Sequence, residues 1–120
     1  NGTAMIQAIT VPDSYFDIYR NTSDYIRHYT FPGGMLLSDA IIADQARQAG
    51  LVVKNNHAFG QDYAVTCATW ATRLDEKADK IRKLGYGEEF MRNWRYYLSV
   101  CAASFAASQT DVVQVELTHA

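Results

Sequence analysis

Aromatic rings set against a glycine turn are the first residues in this sequence that could do chemistry. The stretch YIRHYTFPGGML (25–36) puts two tyrosines, a histidine and Phe31 directly before Pro32-Gly33-Gly34. Core-forming rings and a sharp turn seldom share one dozen residues. From the residues alone, Phe31 is an apolar plug before a turn, or a ring that the turn presents to a binding site.

The histidines and cysteines suggest little reactivity. His28, His57 and His119 are scattered and lack metal-ligand spacing, so we assign no metal. Cys67 and Cys101 lack the electropositive setting that a nucleophilic thiolate requires. A disulfide-stapled secreted domain of this length would carry more than two cysteines, so we expect buried free thiols.

Composition indicates a globular chain of one domain at most. Of the 120 residues, 48% are hydrophobic and 20% charged, with a formal net charge of −2, which argues against a nucleic-acid partner. Acids are interspersed among Lys77, Lys80, Arg82 and Lys83, a pattern typical of a solvated helix face. A surface for a partner or for lipid headgroups is the alternative. No apolar run approaches a membrane span and no signal-peptide pattern is present, so we expect a cytoplasmic protein.

Alternating strands and helices would position these residues. We predict a strand at 4–10 that Pro12 ends, irregular helical pieces over 14–29, and a helix from the N-cap Ser38 to Gly50. Three- and four-residue apolar spacing predicts further helices at 62–84 and 87–109, and strands are predicted at 51–59 and 111–119. This order indicates an α/β fold with helices covering a three-stranded sheet.

The N-terminal strand begins almost at the first residue, and there is no initiator methionine. We therefore expect residues 1–120 to be a single partial domain, the C-terminal portion of a longer protein. Upstream neighbours of the first strand would then be missing, leaving its edge unpaired. That edge predicts self-association or partial disorder.

Five segments carry a resemblance to a known family. MIQAIT (5–10), YTFPGGML (29–36), AFGQDYAVTCATW (58–70), FMRNWRYYLSVCAASF (90–105) and DVVQVEL (111–117) occur in the order and spacing of the cyclopropane-fatty-acyl-phospholipid synthases. These enzymes, which include the mycolic acid cyclopropane synthases, are S-adenosylmethionine-dependent methyltransferases. The resemblance implies the C-terminal half of a Rossmann-like class I methyltransferase domain. Its three-stranded mixed sheet would hold the last strand antiparallel in the middle, flanked by helices.

The resemblance also implies a reaction. A methylene group passes from S-adenosylmethionine to a cis double bond of a phospholipid acyl chain through a carbocation, and a bound bicarbonate removes a proton. An aromatic face attracts such a cation by roughly 0.5–2 kcal/mol without capturing it as a carboxylate would. By its family position, Phe31 would be this catalytic ring.

The resemblance places a bicarbonate site at Gln7, Ile9 and Tyr63. Tyr63 would donate a hydrogen bond from its hydroxyl and take part in catalysis, although an interfacial tyrosine at a helix start is the alternative. Ile9 would contribute a backbone contact. Gln7 stands where many members have histidine, and glutamine cannot relay a proton. Leu37 replaces a common proline in the turn.

The glycine-rich loop and the acidic residue that bind S-adenosylmethionine lie in the first half of such enzymes. We therefore expect no cofactor to bind this chain alone, and no turnover. The expected partners are phospholipid acyl chains at a membrane surface, to which the enzyme would be peripheral, and a second copy in a homodimer. A related C-methyltransferase with another product, or a non-enzymatic self-associating module, are the alternative functions.

Overall fold

The computed structural model describes residues 2–120, which form one three-stranded sheet and the helices packed on it. Within these residues the chain order is β1 (Thr3–Thr10), a 3₁₀ turn (Asp13–Tyr15), α1 (Phe16–Arg20), a π-helical turn (Ile26–Thr30), α2 (Asp39–Gln48), β2 (Leu51–Ala58), α3 (Gly60–Glu76), α4 (Ala78–Lys83), α5 (Glu88–Ala106) and β3 (Asp111–His119).

The sheet has the order β1-β3-β2, with the last strand in the middle and antiparallel to both neighbours. This arrangement confirms the α/β architecture and the position expected for β3. Because both pairings are antiparallel, the three strands form an antiparallel sheet rather than the expected mixed one. Gln114 of β3 lies opposite Gln7 on one side and His57 on the other. The register of β2 shifts between Val53 and Asn55, which accommodates one extra residue.

Alternation along β3 builds two hydrophobic layers. Val113, Val115 and Leu117 face α2 and pack with Ile42 and Ala46. The opposite face carries Val112, which packs with Cys67 of α3 and Phe105 of α5. Because successive strand residues point to opposite faces, this one strand anchors helices on both sides of the sheet.

Helix α2 has both predicted ends. The Ser38 hydroxyl accepts a hydrogen bond from the Ile41 N–H at 3.3 Å, and the side chain is 1% exposed. Gly50 follows the helix at φ +77°, the left-handed conformation that favours glycine.

The predicted continuous helix over 62–84 is wrong in two respects. It begins earlier, at Gly60, and it is interrupted at Lys77, where ψ is 8°, so that α3 and α4 are separate. Helical hydrogen bonds persist on either side of the interruption, from the Lys77 N–H to the Arg73 carbonyl and from the Ile81 N–H to the Lys77 carbonyl. The result is a bend rather than a loop. No helix formed by residues 2–120 is long and apolar enough to cross a membrane.

Strand β1 lies at the outside of the sheet, as expected for an edge strand. It pairs with β3 along one side, and most of its side chains are exposed, including Met5 at 61% and Ile6 at 38%. Its last residue, Thr10, is buried and bridges Leu37 in parallel. The strand therefore ends against the segment that follows the glycine turn.

Candidate functional site

The turn after Phe31 has the features of a type II β-turn. The Gly34 N–H donates to the Phe31 carbonyl at 3.0 Å, and Gly33 has φ +80°, as the third residue of such a turn requires. Pro32 supplies the fixed φ of the second position. A Cβ on Gly34 would lie 3.1 Å from the Phe31 carbonyl oxygen. Each residue of Pro32-Gly33-Gly34 therefore has a defined part in the bend.

The chain enters this bend from a π-helical turn. The Phe31 N–H donates to the Ile26 carbonyl at 2.7 Å, which closes the wider turn. Short π-helical segments are frequent at functional sites, where they displace one residue from the regular helical path. Here Phe31, the residue that precedes the proline, is the C-cap of the π-helical turn.

A buried tyrosine holds the far side of the bend. Tyr19 is 7% exposed, and its hydroxyl oxygen accepts a hydrogen bond from the Leu36 N–H at 2.8 Å. The guanidinium carbon of Arg27 lies 3.8 Å from the Tyr19 ring centroid, in a cation–π contact. Arg27 in turn pairs with Asp24 at 3.0 Å. Helix α1, the π-helical turn and the bend are thereby tied together.

Phe31 and Ile9 line one cleft of about 570 Å³. The Phe31 side chain is 45% exposed, and its ring meets Tyr97 and Trp94 edge to face, with centroids 5.3 and 6.2 Å away. Other lining side chains are largely apolar and include Val11, Met35, Leu36, Val100, Cys101 and Phe105. The cleft could therefore accept an apolar chain alongside an accessible aromatic ring.

Tyr97 and Cys101 lie one helical turn apart on α5 and both line this cleft. Burial, together with the nearby Cys101 thiol, raises the pKa of Tyr97 to about 12. Burial and nearby Cys67 raise the pKa of Cys101 to about 11. Both groups are therefore neutral at physiological pH, and neither adds an anion that could capture a cation.

Tyr63 lies beside the cleft, separated from it by the ring of Phe105. Its ring meets that of Phe105, a cleft residue, at 5.4 Å, and it packs with Ile9 on the same hydrophobic cluster. Burial, and then the nearby Cys67 and Cys101, raise the pKa of Tyr63. The phenol is therefore protonated at neutral pH and can donate a hydrogen bond to an anion.

Gln7 lies on the open part of the sheet and is not among the residues that line the cleft. Its side-chain oxygen accepts from the Gln114 amide at 3.1 Å, and the residue is exposed. It shares a face of β1 with Ile9, two positions along the strand. The structure thus places Ile9 and Phe31 in one cleft, Tyr63 next to it and Gln7 further out. Their roles in catalysis and bicarbonate binding stay predictions.

Three residues of this site, Tyr97, Cys101 and Arg27, are not identified as site residues by the sequence. Cys101 is expected there only as a buried free thiol, and it is free but only partly buried. Tyr97 and Cys101 do fall on the apolar stripe of α5 that the helical spacing reveals. Nothing in that stripe shows which of its members meet the bend. Among residues 2–120, no group of three histidine, cysteine or acidic side chains could hold a metal ion.

Comparison with known proteins identifies the family of the chain. The family model described as mycolic acid cyclopropane synthetase matches residues 1–115. The chain belongs to this family. It is a family of cyclopropane synthases and S-adenosylmethionine-dependent methyltransferases, and the resemblance carried by the five sequence segments is confirmed.

Two curated relatives of this family are similar over most of the chain. It is 36% identical over 114 residues, 94% of its length, to the tuberculostearic acid methyltransferase UfaA1 of Mycobacterium tuberculosis. It is 36% identical over 95 residues, 79% of its length, to the cyclopropane-fatty-acyl-phospholipid synthase of Escherichia coli K12. The chain covers 27% and 24% of these proteins, about a quarter of each.

Solved structures of the family share the fold. The cyclopropane synthase MmaA2 of M. tuberculosis superimposes with a TM-score of 0.84 at 23% identity, over 98% of this chain and 44% of that one. The mycolic acid cyclopropane synthase CmaA1, solved with SAH and CTAB, gives 0.83 at 24% identity, over 97% and 44% of the two chains. The fold expected of a methyltransferase C-terminal portion is confirmed.

Proposed function

We propose that this chain is the acyl-binding part of a cyclopropane-fatty-acyl-phospholipid synthase, which transfers a methylene group from S-adenosylmethionine to a cis double bond of a phospholipid acyl chain. The observation that carries the proposal is the cleft in which the exposed Phe31 ring is held edge to face against Tyr97. An apolar cleft suits an acyl chain, and aromatic faces suit the positive charge that develops on it.

The charges around the cleft support this assignment. Asp24 is the one acid among the described residues that line it, and its carboxylate is paired with the Arg27 guanidinium at 3.0 Å. A carboxylate held in this way is a poor trap for a carbocation. The neutral Tyr97 phenol and Cys101 thiol leave the remaining polar lining uncharged. The cleft therefore provides attraction for a cation without an accessible nucleophilic anion.

These residues do not make a cofactor site by themselves. When bound, S-adenosylmethionine supplies the methyl group, and its nucleoside is expected to sit at a glycine-rich loop that opens a helix. In residues 2–120, Gly33 and Gly34 are used in the β-turn, and Gly50 and Gly85 follow helix ends with positive φ. We assign to this chain the lipid side of the reaction, and we expect no cofactor binding or turnover by the isolated chain. Micromolar S-adenosylmethionine binding in a calorimetric titration would contradict this expectation.

A bicarbonate ion as the proton acceptor is the second element of the proposal. The neutral Tyr63 phenol would donate a hydrogen bond to it, the Ile9 backbone would add a contact, and the Gln7 amide would stand in for the more common histidine. Support comes from the shared cluster of Ile9 and Tyr63 and from the position of Gln7 on the same face of β1. Gln7 can donate a hydrogen bond to the ion but cannot relay its proton.

A methyl branch instead of a cyclopropane is the alternative product. UfaA1, which is similar over 94% of this chain, is named a tuberculostearic acid methyltransferase. Both products would need the same cleft and the same stabilisation of positive charge. They differ in how the carbocation loses its charge. Gln7, which replaces the more common histidine at the proposed bicarbonate site, is therefore the residue of interest for which product forms.

For the enzyme, the proposed partners are phospholipid acyl chains at the cytoplasmic face of a membrane, to which it is peripheral. For the isolated chain, the proposed partner is a second copy bound through the exposed edge of β1 and the apolar faces. A self-associating module without activity is the remaining alternative. The test is to produce the protein that contains this chain in bacteria rich in unsaturated phospholipids and to analyse the fatty acid esters by mass spectrometry. Cyclopropane acyl chains would support the proposal, methyl-branched chains would support the alternative product, and unchanged lipids would contradict both.

A further inference from the structure

A row of aromatic rings leads along α5 from the cleft to the far end of the helical hairpin. Tyr86 packs against Phe90 with the rings tilted and their centroids 4.5 Å apart, Phe90 meets Trp94 at 6.1 Å, and Trp94 meets Tyr97 at 5.4 Å. We call these four residues the aromatic row. Phe90, Trp94 and Tyr97 are spaced by four and three positions, which keeps them on one face of α5 over about 10 Å of helix length, and Tyr86 lies just before the helix begins.

The row is continuous with the cleft at one end. Phe31 contacts both Trp94 and Tyr97, with centroids 6.2 and 5.3 Å away. At its other end, Tyr86 is 49% exposed, just before α5 begins. The row therefore connects the candidate active site with the surface of the hairpin.

That end of the hairpin, residues 77–86, is referred to here as the hairpin tip. Leu84 is 76% exposed, more than any other large hydrophobic residue noted on the described surface. It directly follows α4, and Gly85 turns the chain back with φ +97°. A large apolar side chain at a protruding turn is costly in water and is stabilised when inserted into a lipid interface.

Three lysines lie close to this apolar residue in the chain. Lys80 and Lys83 on α4 and Lys77 just before it recur every three positions and are exposed, and none takes part in an ion pair with another described residue. The nearby acids Asp79 and Glu88 are instead bound by Arg82. Exposed lysines without ion-pair partners, within a few residues of an exposed leucine and an exposed tyrosine, match an anionic membrane surface.

From these observations we infer that the hairpin tip docks on an anionic phospholipid bilayer and that the aromatic row guides an acyl chain from there to the cleft. The inference rests on the proposed lipid substrate and adds the route by which the lipid arrives. It assigns the lysine group to lipid headgroups rather than to a merely solvated helix face.

Vesicle flotation of the full chain tests the docking step. The vesicles contain equal parts of phosphatidylglycerol and phosphatidylethanolamine. Leu84→Ser should weaken binding about tenfold, the effect of losing much of one buried leucine. The double variant Lys80→Gln/Lys83→Gln should weaken binding by about fivefold per lysine. Val65→Ser is the matched control, because Val65 on α3 is 68% exposed but lies outside the tip. Absence of vesicle binding by the unaltered chain, or equal binding by Leu84→Ser and the unaltered chain, would overturn the inference.

The two tryptophans test the route. Trp94 belongs to the aromatic row, whereas Trp70 lies on α3 against Tyr63. The chain has two tryptophans, so the Trp70→Phe variant contains Trp94 as its single tryptophan and the Trp94→Phe variant contains Trp70. With phosphatidylglycerol brominated in its acyl chains, the fluorescence of Trp94 should be quenched at least twice as strongly as that of Trp70. Equal quenching of the two would contradict passage along the row.

The tests of membrane docking and of the proposed reaction can fail independently of each other. If the lipid analysis shows no new acyl product but Leu84→Ser still lowers flotation, the proposed reaction fails and the docking surface stands. If acyl products form and Leu84→Ser lowers neither flotation nor the rate on vesicles, the reaction stands and the docking surface fails. Loss of rate on vesicles but not on detergent-dispersed lipid is the result expected for Leu84→Ser.

Discussion

The ring of Phe31 meets the ring of Tyr97 edge to face, with centroids 5.3 Å apart, at the wall of an apolar cleft. One ring comes from a glycine turn and the other from α5, so that the contact exists only in the folded chain. A turn that holds an exposed ring against a half-buried phenol is consistent with stabilising a cation on an acyl chain. The environment of Tyr97 can be measured through the pKa of its phenol.

The first prediction concerns the stability of the fold at alkaline pH. Burial and the nearby Cys101 raise the pKa of Tyr97 from 10.0 to about 12. The folded chain therefore holds this proton more tightly than the unfolded chain, and the stability linked to it is present below pH 10 and lost as the pH rises towards 12. Tyr97→Phe cannot titrate, so its free energy of unfolding should fall less steeply over this range in urea titrations.

Cys101 titrates in an overlapping range, because its pKa is raised to about 11. The comparison is therefore made in a Cys101→Ser background, with Tyr29→Phe as the control that removes a phenol 64% exposed. Parallel pH profiles for Tyr97→Phe and its parent would show that this phenol is not buried as described.

The second prediction concerns the bend at Pro32-Gly33-Gly34. Tyr19→Phe removes the oxygen that accepts the Leu36 N–H at 2.8 Å. An amide that loses its partner in a buried position costs about 1–3 kcal/mol, and because Leu36 is only partly buried the urea midpoint should fall by an amount that corresponds to the lower part of this range. Tyr15→Phe is the matched control, because Tyr15 is 45% exposed. An unchanged midpoint for Tyr19→Phe would mean that this hydrogen bond does not hold the bend.

The third prediction concerns self-association. The outer edge of β1 is open, and Met5 and Ile6 on this strand are exposed. An uncovered strand edge can pair with a second copy, whereas a lysine on it opposes such pairing. Light scattering should show that the dimeric fraction of the chain increases with protein concentration. This dimer should be lost in Ile6→Lys but not in Val65→Lys. A monomer at every concentration would contradict the expected homodimer.

Sequence reasoning located the elements whose signals are local. Alternation in DVVQVELTH predicts the bounds of β3, and Ser38 with Gly50 predicts both ends of α2. The bend at Lys77 was missed because neither glycine nor proline marks that position, and the helical spacing continues through it. Its cause is not visible in the residues around it.

The site was only partly predictable for a different reason. Phe31 and Ile9 were found through the resemblance, whereas the contact of Phe31 with Tyr97 joins segments far apart in the chain. The stripe on α5 shows that Tyr97 is on an apolar face but not which part of that face meets the bend. Likewise, Arg27 looks like a surface residue until its contact with the Tyr19 ring is seen. Such side chains become candidates only when the packing is known.

The role of Phe31 in stabilising positive charge is tested by the rate of methylene transfer to phospholipid. This rate is measured for the protein that contains this chain and for its Phe31→Leu and Tyr29→Leu variants. Leucine preserves an apolar side chain but removes the aromatic face, so Phe31→Leu should lower kcat/KM by about 2- to 30-fold, with its urea midpoint nearly unchanged. Tyr29→Leu removes an aromatic ring outside the cleft and should retain the unaltered rate. Equal rates for all three proteins, or equal losses in both variants, would contradict the role of Phe31 in stabilising positive charge.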